Sequence, residues 1–202
     1  MEYLTHLGKD KRLKRIIELQ QPYILQKRKQ VWLHLCASIM SQQLSTKVAD
    51  VIYNRFLNLY PKQKPTLQLV IDMPFETLRS IGLSNAKTNY VKNVCTFFIE
   101  EKITDTKLHS MENEELIKYL TQIKGVGQWT VEMILMFTLG REDILALDDL
   151  GIQQSMIKLY KIESANKKDL REKMLKHSAK WSPYRTYACR YLWGWKDNVP
   201  TT

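Results

Sequence analysis

The sequence predicts an all-α protein, and two observations carry that expectation. Apolar residues recur at helical spacing along almost the whole chain, while the alternation of a half-buried strand is nearly absent. Glycine and proline, the punctuation of strand-rich folds, number only seven and six in 202 residues. With 44% hydrophobic content, the chain can bury one sizeable core or two small helical lobes. No apolar run approaches the roughly 18 residues of a membrane span. The N-terminus has no apolar stretch of the signal-peptide kind. A soluble, intracellular protein with no membrane partner is expected. The formal net charge of +10 raises the prior for a polyanionic partner, without separating DNA, RNA and an anionic membrane surface.

Taken in order, residues 9–20 read as a basic helix with Leu13, Ile16, Ile17 and Leu19 on its apolar side, and Pro22 should end it. Residues 30–40 are apolar nearly all round, which marks a core helix. Ser41-Gln42-Gln43-Leu44-Ser45 interrupts the run, and Ser45 is placed to cap a helix through Val48, Val51, Ile52, Phe56 and Leu59. On residue chemistry alone this interruption is a solvated turn. A linker at 61–66 precedes a short helix at 67–71, and Pro74 suits the first position of the helix that follows. Gly82 and Ser84 form a tight joint, a glycine C-cap followed by a serine N-cap, before a helix over 85–101. Ser110 is expected to cap a helix whose first turn holds Glu112, Glu114 and Glu115.

Residues 121–154 organise the rest of the chain. Lys124-Gly125-Val126-Gly127 separates two apolar runs, and two glycines around one apolar residue permit the sharp turn of a helix-hairpin-helix. Free N–H groups at the start of the second helix would bind an anion, and Lys124 beside them points to phosphate. Downstream, Leu147-Asp148-Asp149-Leu150 sets two acids between leucines. An Asp in this position most often caps the following helix, which explains one of the two acids and leaves the other to be accounted for.

After the pair, Ile152, Met156, Ile157 and Leu159 form an apolar stripe, and residues 170–180 read as a basic helix. Ser182-Pro183 is expected to cap and open the last helix, with Gly194 marking where it frays. Cys36, Cys95 and Cys189 lie far apart, and His6, His34, His109 and His177 show no metal-ligand spacing.

Several of these segments, in this order, resemble motifs of the helix-hairpin-helix DNA glycosylases. The closer match is the 3-methyladenine DNA glycosylase II branch, which is similar at Ile-Met-Ser-Gln-Gln-Leu-Ser (39–45), GVGQWT (125–130), the Asp pair, and Trp-Ser-Pro-Tyr-Arg-Thr-Tyr-Ala (181–188). The segment from Gly82 to Tyr90 is similar as well and reads as structural, and Asp149 lies at the family spacing from Gly127. The resemblance covers residues 31–195, nearly the whole chain.

It implies a two-lobed all-α fold with an active-site cleft between lobes at about 30–105 and 106–202, the N-terminal helix joining the second. The whole of 1–202 would be one glycosylase core, in a compact form without the β-rich N-terminal domain of longer members. The implied activity is base excision repair on double-stranded DNA containing damaged bases, by a monomer. Alkylated purines such as 3-methyladenine and 7-methylguanine would be flipped out and their N-glycosidic bonds hydrolysed. The sugar passes through an oxocarbenium-like state, which a fixed carboxylate stabilises, and Asp149 is the residue matched to that role. An alkylated purine is already cationic, so its departure needs little acid catalysis. For Asp148 a capping or hydrogen-bonding task is expected.

Family members with lyase activity carry a Schiff-base lysine where this chain has Trp129, and Lys124 is too early to replace it. A monofunctional enzyme follows. Trp129 and Trp193 match pocket tryptophans, with Met133 nearby, while Trp32, Trp181 and Trp195 are assigned to packing. Gln43 is matched to the side chain that fills the gap in the duplex, with Leu44 second, and Lys124, Gly125, Gly127 and Thr130 to DNA contacts. The carbonyls of Thr121, Ile123 and Val126 would hold Na+ or K+. No cofactor is required, and one cysteine near the C-terminus excludes the iron–sulfur cluster of some relatives. Two alternatives stay open: the same fold acting on hypoxanthine or a mismatched base, and a non-catalytic DNA-binding hairpin module.

Overall fold

Apolar periodicity of three to four residues builds helices throughout the computed structural model, which describes residues 1–198. No strand occurs among the described residues. No described helix is long and apolar enough to cross a membrane. The chain divides into two units, one of residues 28–134 and one of residues 1–27 with 135 onward.

In the unit of residues 28–134, α3 (Val31–Ser41) packs on α7 (Asn85–Glu100) and on α4 (Thr46–Asn58). Their contact faces supply Leu35, Cys36, Ile39, Met40, Phe56, Val91, Val94 and Phe98, all essentially buried. Short helices α5 (Leu67–Asp72) and α6 (Phe75–Ser80) flank α7, and α8 (Asp105–Ser110) and α9 (Asn113–Leu120) lead toward the hairpin. Ser45 and Ser84 cap α4 and α7, as their positions predict. Ser110 does not cap α9. It ends α8, where its hydroxyl donates to the Lys107 carbonyl, and Glu112 takes the N-cap position. Pro74 is likewise the N-cap of α6 rather than its first residue.

The other unit holds α1 (Glu2–Leu7), α2 (Lys11–Ile17), α11 (Leu150–Tyr160), α12 (Lys167–Ser178) and α13 (Arg185–Asn198). Here α11 packs along α13, and α2 leans on both. The basic helix expected at 9–20 is the shorter α2, which Asp10 caps by accepting from the Arg12 and Leu13 amides, and α1 precedes it. The same carboxylate is buried. It accepts from the Tyr160 hydroxyl and the Trp181 indole (3.2 Å) and pairs with Lys180 at 3.0 Å, so it locks the N-terminus onto the end of α11. Gly194 does not end α13. The Gln20 side chain fills the space where its Cβ would lie.

The helix after the hairpin, α10 (Gln128–Phe137), contains the division between the units, at Ile134 and Leu135. The hairpin therefore belongs with residues 28–134, whereas a boundary near 105 had been expected. The reason is packing between segments distant in sequence: Tyr90 fills the space over Gly125, and Asn93 donates to the Lys124 carbonyl at 3.1 Å.

Candidate active site and nucleic-acid interface

The hairpin begins where α9 ends. Thr121 closes that helix, and the turn tightens through the Ile123 amide to Leu120 and the Val126 amide to Ile123, at 3.2 and 2.9 Å. Gly125 has φ +104°, and a Cβ there would lie 2.1 Å from Tyr90 Cγ, so both backbone and space demand glycine. Gly127 serves a different purpose. Its φ is not in the left-handed region, and a Cβ there would meet nothing within 4 Å. What lies beyond it is open space at the first turn of α10, where Val131 bonds back to the Gly127 carbonyl at 3.2 Å. Gln128, Trp129 and Thr130 form the first turn of α10, ahead of the Val131 amide that bonds back to Gly127. Lys124, Gly127 and Gln128 are exposed.

Thr130, an expected DNA contact, is 2% exposed, and its hydroxyl accepts from Gln42 Nε2 at 3.2 Å. Its side chain thus faces the protein and is spoken for by Gln42. Trp129 and Met133 stand one turn apart on α10 and both are half-buried. In the 41–45 turn, Gln43 is exposed at φ +60° and Leu44 is 37% exposed, while Gln42 is the residue turned inward. Leu44 Nα donates to the Ser41 carbonyl at 3.1 Å.

In the other unit, the loop before α11 is clamped by the 181–188 motif. Arg185 grips the Asp143 carboxylate with Nε and Nη2 at 2.6 and 2.7 Å, and the Ser182 hydroxyl donates to it at 2.8 Å. Burial pushes the Asp143 carboxyl up, but bonds from Arg185 and Ser182 outweigh it and hold it below the ordinary 3.8. Thr186 accepts from the Ile144 amide at 3.0 Å and donates to the Arg141 carbonyl at 2.6 Å. Tyr187 donates to Glu142 at 2.8 Å. The motif therefore does not open the last helix with Ser182 and Pro183. α13 starts at Arg185, and Ser182 is spent on the loop.

That loop delivers Asp149 to the N-cap of α11. Oδ1 of Asp149 accepts from the Ile152 amide at 2.9 Å and from the Trp193 indole N–H at 2.8 Å. Gln153 Nε2 fastens the preceding turn through the Leu147 carbonyl at 2.7 Å. Asp149 is half-buried, whereas Asp148 is exposed and forms ion pairs with Arg171 and Lys167 at 3.2 and 3.4 Å. Of the capping or hydrogen-bonding task expected of Asp148, the cap belongs to Asp149, and Asp148 takes the hydrogen bond, accepting from Arg171. Leu150 is 70% exposed, so the leucines do not enclose the pair.

A helix-hairpin-helix and a capped, indole-bound aspartate now stand 22 residues apart, from Gly127 to Asp149. The profile of the HhH-GPD superfamily, base excision DNA repair proteins, matches residues 36–180. The chain belongs to the HhH-GPD superfamily. Its similarity to the DNA-3-methyladenine glycosylase 1 of Schizosaccharomyces pombe is 38% identity over 92% of this chain and 82% of that protein. A solved 3-methyladenine DNA glycosylase of S. pombe in complex with abasic DNA superposes with a TM-score of 0.89, at 35% identity and over 100% of both chains. A DNA-3-methyladenine glycosidase of Bacillus halodurans superposes with a TM-score of 0.82, at 34% identity, over 98% of this chain and 90% of that one.

Two residues of this HhH-GPD chain carry more than the sequence reading gave them. Gly151 lets Trp193 close on Asp149, since a Cβ there would lie 3.0 Å from Asp149 Oδ1 and 3.1 Å from Trp193 Cδ1. The ring of Phe137 stands 5.6 Å from that of Trp193. Its signal was available, because Phe137 follows Trp129 and Met133 at steps of four residues. Gly151 had no such signal. For a monovalent cation, the donor set is neutral carbonyl oxygen. Among the described turn and cap bonds, Thr121 O and Val126 O accept none, and Ile123 O accepts one and keeps a lone pair, so the three fit a hard cation. No group of three or more His, Cys, Asp or Glu suited to a metal occurs among the described residues.

Proposed function

We propose that this chain is a monofunctional DNA glycosylase that hydrolyses the N-glycosidic bond of alkylated purines, 3-methyladenine and 7-methylguanine, in double-stranded DNA. The observation that carries the reading is the double anchoring of Asp149 Oδ1 by the Ile152 amide and the Trp193 indole. An anion that must meet positive charge developing on a sugar works best when its orientation is fixed before the reaction. Two donors on one oxygen hold the carboxylate plane, so that it faces C1′ or directs a water molecule without reorganising. The leaving base is cationic and departs without a proton donor. Trp129 and Met133 stack on the extruded base through ring face and polarisable sulfur.

The hairpin amides at 128–130 and the Lys124 ammonium bind backbone phosphate, and Gly127 leaves room for its approach. Gln43 fills the gap in the duplex, and Leu44 packs beside it. A cation held by Thr121, Ile123 and Val126 would add positive charge next to that phosphate. No amine occupies the position of Trp129, so no imine forms with the sugar and an abasic site is left intact. The enzyme acts as a monomer inside the cell.

The test incubates methylated duplex DNA with the wild type and Asp149→Asn, following free bases by chromatography and strand breaks before and after alkali. Base release by the wild type alone, with breaks only after alkali, is the expected result. Unchanged release by Asp149→Asn would remove Asp149 from its role, and breaks without alkali would overturn the monofunctional assignment.

A further inference from the structure

Three side chains on one flank of α7 reach the two segments assigned above to DNA. Lys87 Nζ donates to the carbonyls of Met40 and Gln42, at 3.0 and 2.7 Å, at the end of α3. Those carbonyls have no intrahelical donor, and an ammonium at a helix C-terminus also meets the negative end of the dipole. Burial lowers the pKa of Lys87, so the protein keeps this ammonium partly out of water to make the contact. Tyr90, one turn further, fills the space over Gly125. Asn93, three residues on again, donates to the Lys124 carbonyl at 3.1 Å. Gln42 completes the frame by donating to Thr130 across from α3 to α10, at 3.2 Å.

We propose that Lys87, Tyr90 and Asn93 form a brace that makes the 41–45 turn and the 121–127 hairpin one preorganised element, with Lys87 as the positioning residue for Gln43. Gln43 is held at φ +60°, a conformation that an isolated turn would leave readily. Within the turn, the Leu44 amide donates to the Ser41 carbonyl at 3.1 Å. Fixing the two carbonyls that flank Ser41 removes that freedom before DNA arrives, so less order must be gained when the base is expelled. The functional part of the inference rests on the glycosylase reading, whereas the brace itself does not.

Lys92 supplies the control. It makes the same kind of bond from the same helix, to the carbonyls of Ile71 and Met73 at 2.8 and 2.6 Å, neither of which lies in the two DNA segments. Lys87→Met and Lys92→Met are compared in single-turnover release of 3-methyladenine from a full duplex and from one with an abasic site opposite the lesion. A base with no partner needs less help to leave the stack. Lys87→Met loses both charge-assisted hydrogen bonds and should slow release from the full duplex at least about tenfold, and slow the unpaired substrate far less. Lys92→Met should leave the ratio of the two rates unchanged, and Lys87→Arg should restore part of it.

Amide hydrogen exchange reads the brace without any activity. The Leu44 amide should exchange about tenfold faster in Lys87→Met and at the wild-type rate in Lys92→Met. Equal slowing on both substrates would overturn the positioning role, and unchanged exchange at Leu44 would overturn the brace. Failure of the wild type to release any base from either substrate would instead count against the glycosylase reading, and the exchange data would still decide the brace.

Discussion

Replacing Trp193 with Phe removes the indole N–H donor while keeping an aromatic ring against Phe137. The indole N–H lies 2.8 Å from Asp149 Oδ1, and the Ile152 amide, at 2.9 Å, remains as the second donor. A hydrogen bond to a charged acceptor contributes about 1.5–3 kcal/mol. If that energy orients Asp149 for the chemical step, base release slows by roughly 10- to 150-fold. Because a ring is retained, stability should fall by no more than about 3 kcal/mol, less than for Trp193→Ala. The assay is single-turnover release of 3-methyladenine at saturating enzyme, alongside affinity for a duplex carrying an abasic analogue. The rate should fall while affinity stays within about threefold, since the lost bond matters in the transition state. A rate within about twofold of wild type would refute the argument that Trp193 holds Asp149. A matched loss of rate and affinity would reduce Trp193 to a wall for the base. Gly151→Ala approaches the same bond from the other side. Its Cβ would lie 3.0 Å from Asp149 Oδ1 and 3.2 Å from Trp193 Nε1, and a smaller loss of rate is expected as the pair shifts to make room.

The hairpin glycines should separate cleanly. Gly125→Ala places a Cβ 2.1 Å from Tyr90 Cγ at φ +104°, and a loss of at least about 3 kcal/mol in urea unfolding is expected. Gly127→Ala meets nothing within 4 Å, so its unfolding curve should not move, while affinity for duplex DNA in titration should drop about tenfold. Asp10→Ala removes an N-cap and leaves the Tyr160 hydroxyl and Trp181 indole unpaired in the core, a loss of roughly 3–5 kcal/mol, or a melting temperature lower by about 10 °C in calorimetry. For Asp10, burial raises the pKa, but bonds from Tyr160, Trp181 and Lys180 bring it below the ordinary 3.8. Asp143 is also lowered, by Arg185 and Ser182 against burial. The unfolded chain therefore takes up protons before these two folded carboxyls do. Their contribution is complete above about pH 5 and is lost as pH falls through their folded values. Denaturation followed from about pH 5 to 2 should show a shallower decline for Asp143→Asn than for the wild type. Asp148→Asn breaks two exposed ion pairs and should change stability by less than about 1 kcal/mol, with base release at the wild-type rate.

By itself the sequence determined what is local and repetitive. Helical periodicity, the caps at Ser45 and Ser84, and the glycine turn at 124–127 follow from preferences that act within a few residues, and each appears where its residues place it. The candidate aspartate was legible through the family resemblance, whose spacing from the hairpin it matches. Local reasoning failed where a small polar side chain had two uses. Ser110, Ser182 and Asp148 all resemble helix caps. The first belongs to the preceding helix, the second grips Asp143, and the third pairs with Lys167 and Arg171.

Only the tertiary structure decided which distant groups meet. Asp149 became both cap and indole acceptor because α13 returns along α11, more than forty residues downstream, and Gly151 leaves the gap through which Trp193 reaches it. The lysine bonds to the 41–45 turn and the clamp on the loop at 141–144 likewise join segments more than forty residues apart. A hydroxyl, ammonium or indole can satisfy its hydrogen bond with any partner that packing brings within reach. The sequence states which groups need partners, and the packing of helices selects which partners they get.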